Sequence, residues 1–228
     1  MKPEKNTSKI VILGAGGHGR VVADILCAQI SAGSNNVFAG FVDENLPLGH
    51  QVSPSRKHWR VIGRDKDLQT LKAEGVDGFC VGIGVLRGSE TIRQRIFNAA
   101  CDAGLQPAVL IHPRAIVAPD VTIGAGTVVM AGAVVNIGST IGENCIINTG
   151  AVLDHDAHIH DHVHIAPGCV LSGHVTVQSG TIVGVGSTVI QGISIGTGAT
   201  VGAGSVVVKP VKDLSVVMGV PARSSRQS

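Results

Sequence analysis

Tyrosine is absent from the 228 residues of the chain, tryptophan occurs once and phenylalanine four times. A core built almost without rings must be filled by small and branched side chains. The 31 glycines and the abundant Val, Ile and Ala suit a narrow interior that admits little else. Charge of either sign is also scarce: Lys and Arg number 18 against 16 Asp and Glu, and no basic run occurs. That removes the electrostatic footprint a nucleic acid or an acidic membrane surface would require. Five cysteines (Cys27, Cys80, Cys101, Cys145, Cys169) show no CxxC spacing and are odd in number. They read as small buried hydrophobes in a reducing compartment rather than as a disulfide framework. No apolar run approaches the roughly 18 residues a membrane span needs. The N-terminal MKPEKNTSK is polar and leads straight into a strand pattern, so it is not expected to be a signal peptide. The expectation is a cytoplasmic protein.

What is present is a repeat. From Val117 to Val207 an aliphatic residue returns at every sixth position through sixteen hexads, and the pattern fades near Lys212. Four residues after each anchor sits a small or β-branched residue, from Val121, Thr127 and Ala133 to Val211. A period of six fits neither a helix nor a freely turning strand. It fits a solenoid in which each hexad makes one short strand and one corner. Three hexads would close a triangular coil of eighteen residues, and stacking at about 4.8 Å makes a prism roughly 25 Å long. Residues 217–222 read as a cap over its end. The flat faces of such a prism predict a trimer.

Before the repeat, strand and helix patterns alternate. Residues 9–13 read as a buried strand, 20–32 as a helix, 37–42 as a second strand, 65–75 as a helix, 77–84 as a strand, 89–104 as a helix and 107–111 as a last strand. This predicts a small parallel α/β domain of some five strands. Gly14-Ala15-Gly16-Gly17-His18-Gly19 lies between the first strand and the first helix, where glycines let an anionic ligand approach the backbone and the helix N-terminus. The same stretch would also serve as a tight turn with no ligand. Half the usual dinucleotide-binding unit suits a mononucleotide or nucleotide-sugar better than a dinucleotide. Asp43-Glu44, at the end of the second strand, sits where an acid commonly bonds a ligand hydroxyl.

Inside the solenoid, residues 154–164 carry five of the ten histidines: His155, His158, His160, His162 and His164. Three readings stand. One imidazole could act as a general base oriented by a carboxylate, and His155, flanked by Asp154 and Asp156, is the best placed. The group could hold a metal, although no three of these histidines converge, because neighbours along a strand alternate faces. Or exposed polar residues simply fill turn slots, which is the reading for His158, His160 and His162. His155 and His164 are nine residues apart, half a coil, so one site could use both only if neighbouring subunits share it.

These features together resemble the left-handed β-helix acyltransferases of nucleotide-sugar metabolism. That group includes UDP-N-acetylbacillosamine N-acetyltransferase, GDP-perosamine N-acetyltransferase and the sialic acid O-acetyltransferase-like proteins. The resemblance rests on GAGGHG with Val21-Val22-Ala23-Asp24, on Phe41-Val42-Asp43-Glu44, Val81-Gly82-Ile83-Gly84 and Leu110-Ile111-His112-Pro113. In the repeat it rests on residues 129–134, 147–151, Asp154-His155-Asp156 and Gly219-Val220-Pro221-Ala222.

The resemblance implies an α/β Rossmann-like nucleotide-sugar-binding domain over residues 1–108 and an all-β left-handed parallel β-helix over 109–228. The hand of that helix is a rare exception to right-handed crossovers. It further implies a homotrimer that uses acetyl-CoA as co-substrate, with no metal. His155 would be the base and Asp156 would raise its basicity. His164, Gly173, Val185 and Ala203 would lie at the acetyl-CoA site, and Gly16, Gly17, His18, Asp43, Glu44 and Gly84 would line the nucleotide-sugar pocket. Two departures stand out. Val85-Leu86-Arg87 follows Gly84 where family members often carry a polar pair, and the loop over residues 49–60 is longer than usual. The implied reaction is N-acetylation of a UDP- or GDP-linked deoxy-amino sugar. The alternatives are O-acetylation of a sialic-acid-type sugar, a zinc enzyme like the γ-carbonic anhydrases, and a non-catalytic nucleotide-sugar binder.

Overall fold

The computed structural model describes residues 7–84 and 90–225, without the side chain of residue 90. The chain divides into two compact units, residues up to Gly84 with Thr91–Pro113, and residues from Arg114 onward. Among the described residues no helix is long and apolar enough to cross a membrane.

The first unit is a five-stranded parallel sheet, β1 (Lys9–Leu13), β2 (Val37–Val42), β3 (Val61–Gly63), β4 (Gly78–Val81) and β5 (Gln106–Pro107), in the spatial order β3-β2-β1-β4-β5. Helices α1 (Gly17–Ser31), α2 (Leu68–Ala73) and α3 (Glu90–Asp102) supply the rest. β1 is apolar on both faces, as a central parallel strand must be, and four of its five residues are buried. Val11, Leu13, Val42, Leu71, Phe79 and Phe97 form one core cluster. The strand order reverses direction at β1, between β2 and β4. A parallel sheet opens its ligand crevice at the carboxyl ends beside such a switch.

The boundaries differ from the sequence reading in four places. α1 begins at Gly17 rather than at residue 20, so the second half of the glycine motif is already helix. The strand expected over 77–84 is four residues, and the one expected over 107–111 is two short strands, Gln106–Pro107 and Leu110–Ile111. The helix expected over 65–75 is a 3₁₀ turn, Asp65–Asp67, leading into α2. β3, only three residues long, was not anticipated. The loop before it folds back as a ladder (Gly49 N to Val61 O, Val61 N to His50 O, Val52 N to Trp59 O) and seats Trp59 against Phe38 and Phe41.

The second unit is the expected coil. Each strand pairs in parallel with the one eighteen residues away, as in Val134↔Val152, Thr140↔His158 and Ile146↔His164. A first side carries Ile116–Val117 through Val206–Val207, a second Thr122–Ile123 through Ser194–Ile195, and a third Val128–Val129 through Thr200–Val201. Anchors such as Leu153, Ile165 and Leu171 are fully buried. Several of the small residues do more than fill space. Buried Thr127, Thr181 and Ser187 donate hydroxyl bonds to carbonyls one coil on (Gly142, Gly196 and Gly202, at 2.7, 2.6 and 2.9 Å). This satisfies polar groups where no water enters. Past Val207 the coil is prolonged rather than simply capped. Val216–Met218 adds to the third side in parallel and Arg223–Ser224 closes it antiparallel.

The cysteines are free thiols. Cys80, Cys145 and Cys169 are buried and Cys27 and Cys101 half-buried. Burial pushes the Cys80 thiol up to about 12.

Candidate active site

From the corner after Ile123 to the one after Val201, each solenoid corner turns through a left-handed residue three positions after the anchor. Glycine fills that slot at ten corners, while Asn144, Asp156, His162 and His174 occupy it with φ between 51° and 59°. A side chain there strains the backbone by about 1–2 kcal/mol, less for Asn and Asp. Asp156 and His174 are one coil apart in the same column, above Gly138, where a Cβ would collide with the Asp156 carboxylate. In the neighbouring column His155 lies over Gly173. A Cβ on Gly173 would stand 2.5 Å from Cε1 and Nε2 of the imidazole, so this glycine is what lets the ring approach the next coil.

His155 Nδ1 and Asp156 Oδ2 are 2.8 Å apart. With the carboxylate ionised, Nδ1 carries the proton and Nε2 is left as the basic nitrogen. This bond is the main reason the His155 pKa is raised above its ordinary value, and the same bond lowers that of Asp156. Asp154 holds the turn rather than the ring. Its Oδ1 accepts Asn136 Nδ2 at 2.9 Å and the His155 backbone N–H at 2.8 Å, and these bonds lower its pKa. The structure adds a neighbour that the sequence reading missed. His174 Nε2 is 3.6 Å from Asp156 Oδ2, and its ring meets that of His155 edge to face at 5.1 Å. The signal was available, because Asp156 plus eighteen is His174.

Nδ1 or Nε2 of His155 and His174 and an oxygen of Asp156 lie within 4.8 Å of one another. One cluster histidine thus does converge with two other ligating groups, through a residue outside the five. The remaining cluster members disperse. His158 is exposed on the second side and bonds Thr140, and His162 pairs with Asn144. His164 is buried on the third side with Nε2 3.1 Å from Asn148 Nδ2, away from the His155 corner. Val185 and Ala203 are exposed and stacked one coil apart at the corner that follows the third side.

In the first unit the glycine motif splits in two. A Cβ on Gly19 would overlap the Gly14 carbonyl, and one on Gly14 would meet Ile83 at 2.8 Å, so these two glycines serve the close packing of helix on sheet. Gly16, at the helix N-cap, and Gly17, its first residue, have nothing within 4 Å of such a Cβ. His18 packs against Gly84, 3.6 Å from where a Cβ there would sit. Asp43 is largely engaged. Its Oδ2 accepts Ala15 N at 2.9 Å, and its Oδ1 accepts Asn45 N and Leu46 N at 2.9 and 3.2 Å. A carboxylate has about four acceptor positions, so about one remains. Glu44 accepts Asp65 N at 2.6 Å. Beside them a cavity of about 170 Å³ opens at the strand ends, lined by Leu13, Val42, Asp43, Asp65, Ile83 and Arg95 among others. Buried Arg93, another residue the sequence reading passed over, ties the end of β4 together by donating to the Val81 and Ile83 carbonyls at 2.8 Å. The departure at Val85-Leu86-Arg87 lies outside the described residues.

No curated protein sequence matches the chain. Residues 9–100 match the PglD N-terminal domain, and residues 138–173 match the bacterial transferase hexapeptide family of six repeats. Among solved structures the chain is similar to perosamine N-acetyltransferase from Caulobacter crescentus, determined with CoA and GDP-perosamine. The two share 37% identity over 96% of this chain and 97% of that one, with a TM-score of 0.84. It is similar to the acetyltransferase domain of PglB from Neisseria gonorrhoeae, in complex with acetyl coenzyme A, at 36% identity over 96% and 100% of the two chains, with a TM-score of 0.83. WeeI from Acinetobacter baumannii, 24% identical with a TM-score of 0.79 over 96% and 100%, shares the fold. The solenoid is thus a left-handed parallel β-helix following a Rossmann-like domain. With its two domains in this order and the similarity covering 96% of it, the chain belongs to the nucleotide-sugar acetyltransferase family.

Proposed function

We propose that the protein transfers the acetyl group of acetyl-CoA to the amino nitrogen of a UDP- or GDP-linked deoxy-amino sugar, with His155 as general base. The observation that carries this reading is the 2.8 Å contact of His155 Nδ1 with Asp156. It fixes the tautomer, leaves the free lone pair on Nε2 and raises the basicity of the ring. The sugar nitrogen attacks the thioester carbonyl and a C–N bond forms. His155 Nε2 takes the proton from that nitrogen. A backbone N–H of the coil stabilises the oxyanion. As the tetrahedral adduct collapses, the C–S bond breaks and the proton passes to the departing CoA thiolate. Similarity to enzymes determined with CoA, acetyl-CoA and GDP-perosamine supports both substrates.

His164, Gly173, Val185 and Ala203 serve the acetyl-CoA site in this reading. Gly16, Gly17, His18, Asp43, Glu44 and Gly84 serve the nucleotide-sugar. Support for the second set comes from Gly16 and Gly17, whose lack of side chains no contact within the protein requires. The helix start also has no side-chain cap and no first-turn acid, and a helix N-terminus favours phosphate. His164 lies on another side of the prism from the His155 corner, which supports a homotrimer in which adjacent subunits complete each site.

The test is thioester cleavage against a panel of amino-sugar nucleotides. His155→Ala should lose about 10²–10⁴-fold in kcat while acetyl-CoA binding persists. A variant with near-native rate, or a native enzyme indifferent to every amino-sugar nucleotide, refutes the assignment. Mixing inactive His155→Ala chains with inactive His164→Ala chains should restore activity if sites are shared, and no recovery rules sharing out.

A further inference from the structure

Two imidazoles and one carboxylate at a single corner form a donor set that the acetyl-transfer chemistry does not itself require. Reading His155 as the base uses Nε2 of that ring and the Asp156 carboxylate. It leaves His174 without a task, although His174 holds a left-handed slot that glycine fills more cheaply at ten other corners. Unstrained alternatives were open at that position, and an imidazole stands there, aimed at Asp156.

We propose that His155 Nδ1, Asp156 Oδ2 and His174 Nε2 form a three-ligand site for a zinc-type transition-metal ion that switches the enzyme off. Three arguments carry it. First, the spacing is close to what an ion needs. A tetrahedral ion with bonds of about 2.0–2.1 Å holds its ligand atoms roughly 3.3 Å apart. The observed Nδ1–Oδ2 and Oδ2–Nε2 separations of 2.8 and 3.6 Å bracket that figure, and one ligand atom from each of the three residues lies within 4.8 Å of the others, so side-chain rotations can close the set. Second, the donor set selects the ion. Imidazole and carboxylate together suit zinc, cobalt or nickel, whereas magnesium and calcium prefer all-oxygen shells. Third, the ligands come from two adjacent coils whose backbones are bonded, His174 N to His155 O at 3.0 Å. The pair is thereby held in register before any ion arrives. The three side chains are 45%, 42% and 59% exposed, which leaves a fourth position open to water.

The inhibition follows from the proton count and rests on the general-base reading above. A neutral imidazole carries one proton. In the free enzyme that proton is on Nδ1, facing Asp156, and Nε2 accepts. When an ion takes Nδ1, the proton moves to Nε2, so the ring stays neutral and can no longer accept a proton from the sugar amine. The ion also takes the Asp156 oxygen that raised the basicity of the ring. No bond to substrate is made or broken, and a chelator that removes the ion restores the original tautomer.

The experiment separates binding from catalysis. Chelator-treated native protein and His174→Asn, whose new side chain tolerates the left-handed slot as Asn144 does, are titrated with zinc sulfate in a calorimeter. Cobalt binding is followed by visible absorption. The native chain should bind one ion per subunit, and His174→Asn should bind it about tenfold or more weakly. Each protein is then assayed against its own zinc-free rate. The native enzyme should be inhibited over the concentration range in which zinc binds and should recover with chelator, and His174→Asn should resist. Equal zinc affinity in the two proteins, or no zinc binding by the native chain, overturns the site. Binding without inhibition overturns the switch. If acetyl transfer itself is absent, the titrations still decide the site, and only the reading of His155 as base fails.

Discussion

The glycine loop of the first unit and the corners of the solenoid use one residue type in opposite ways. In the loop, Gly14 and Gly19 are required by neighbouring backbone and side chain, whereas Gly16 and Gly17 face nothing within the protein. The functional candidates there are glycines without a packing reason. In the solenoid, glycine is the cheap and usual occupant of the left-handed corners, and Asp156 and His174 are two of the four, with Asn144 and His162, where it is missing. The functional candidates there are side chains held against a packing reason. In both units the chemistry is marked by a mismatch between the residue and its local conformational demand, and the two mismatches have opposite sign.

Asp156→Asn strikes at the most consequential of these departures. The carboxylate raises the pKa of His155, so its removal should move the acidic limb of kcat/KM to lower pH. The plateau should fall on the order of a hundredfold, because the amide no longer fixes the tautomer. A pH–rate profile with an unmoved limb would detach Asp156 from the base. Gly173→Ala is next. Its Cβ would occupy the space under the imidazole without meeting backbone, so folding should persist while the ring is displaced. A misplacement of this size lowers kcat by about ten- to a hundredfold, and a wild-type rate with an intact melting curve would contradict the stacking.

The sharpest test of the contrast inside the loop compares two alanines. Gly19→Ala should destabilise the first unit by about 1–3 kcal/mol, because its Cβ overlaps fixed backbone. Gly17→Ala should leave stability unchanged or raise it by up to about 1 kcal/mol, while raising KM for the nucleotide-sugar. Denaturation and steady-state kinetics on the pair would erase the distinction if both variants behaved alike. The smallest effect is expected of His162→Gly. His162 holds the same left-handed slot as Asp156 but at the next corner and without its partners, so stability should shift by no more than about 1 kcal/mol and activity should hold. A large loss of rate would show that His162 does more than occupy a turn.

The solenoid was legible almost residue by residue because its rule is local. An anchor must point inward every sixth position, and nothing distant can override that. The first unit was legible as a pattern but not at its edges. β3 is too short to show a period, and the helix was expected to start after the glycines although Gly17 and His18 already belong to it. The acids Asp43 and Glu44 stand out in the sequence for their place at the strand end, yet their bonds to Ala15, Asn45, Leu46 and Asp65 appear only once the loops are folded. His155 and Asp156 could be singled out because they are adjacent along the chain. His174 is not adjacent to them along the chain and becomes their neighbour only through the coil, whose neighbours are eighteen residues apart.

That spacing also makes the chain a ruler with two graduations. A change of eighteen residues anywhere in the solenoid adds or removes a whole storey and returns every later side chain to the side it left. A change of six keeps inside and outside intact yet swings everything downstream by a third of a turn, parting columns such as Gly138–Asp156–His174. Length is therefore free to vary only in storeys wherever a corner must face the same way, and the hexad, although it is the unit of sequence, is not the unit in which such a protein can grow.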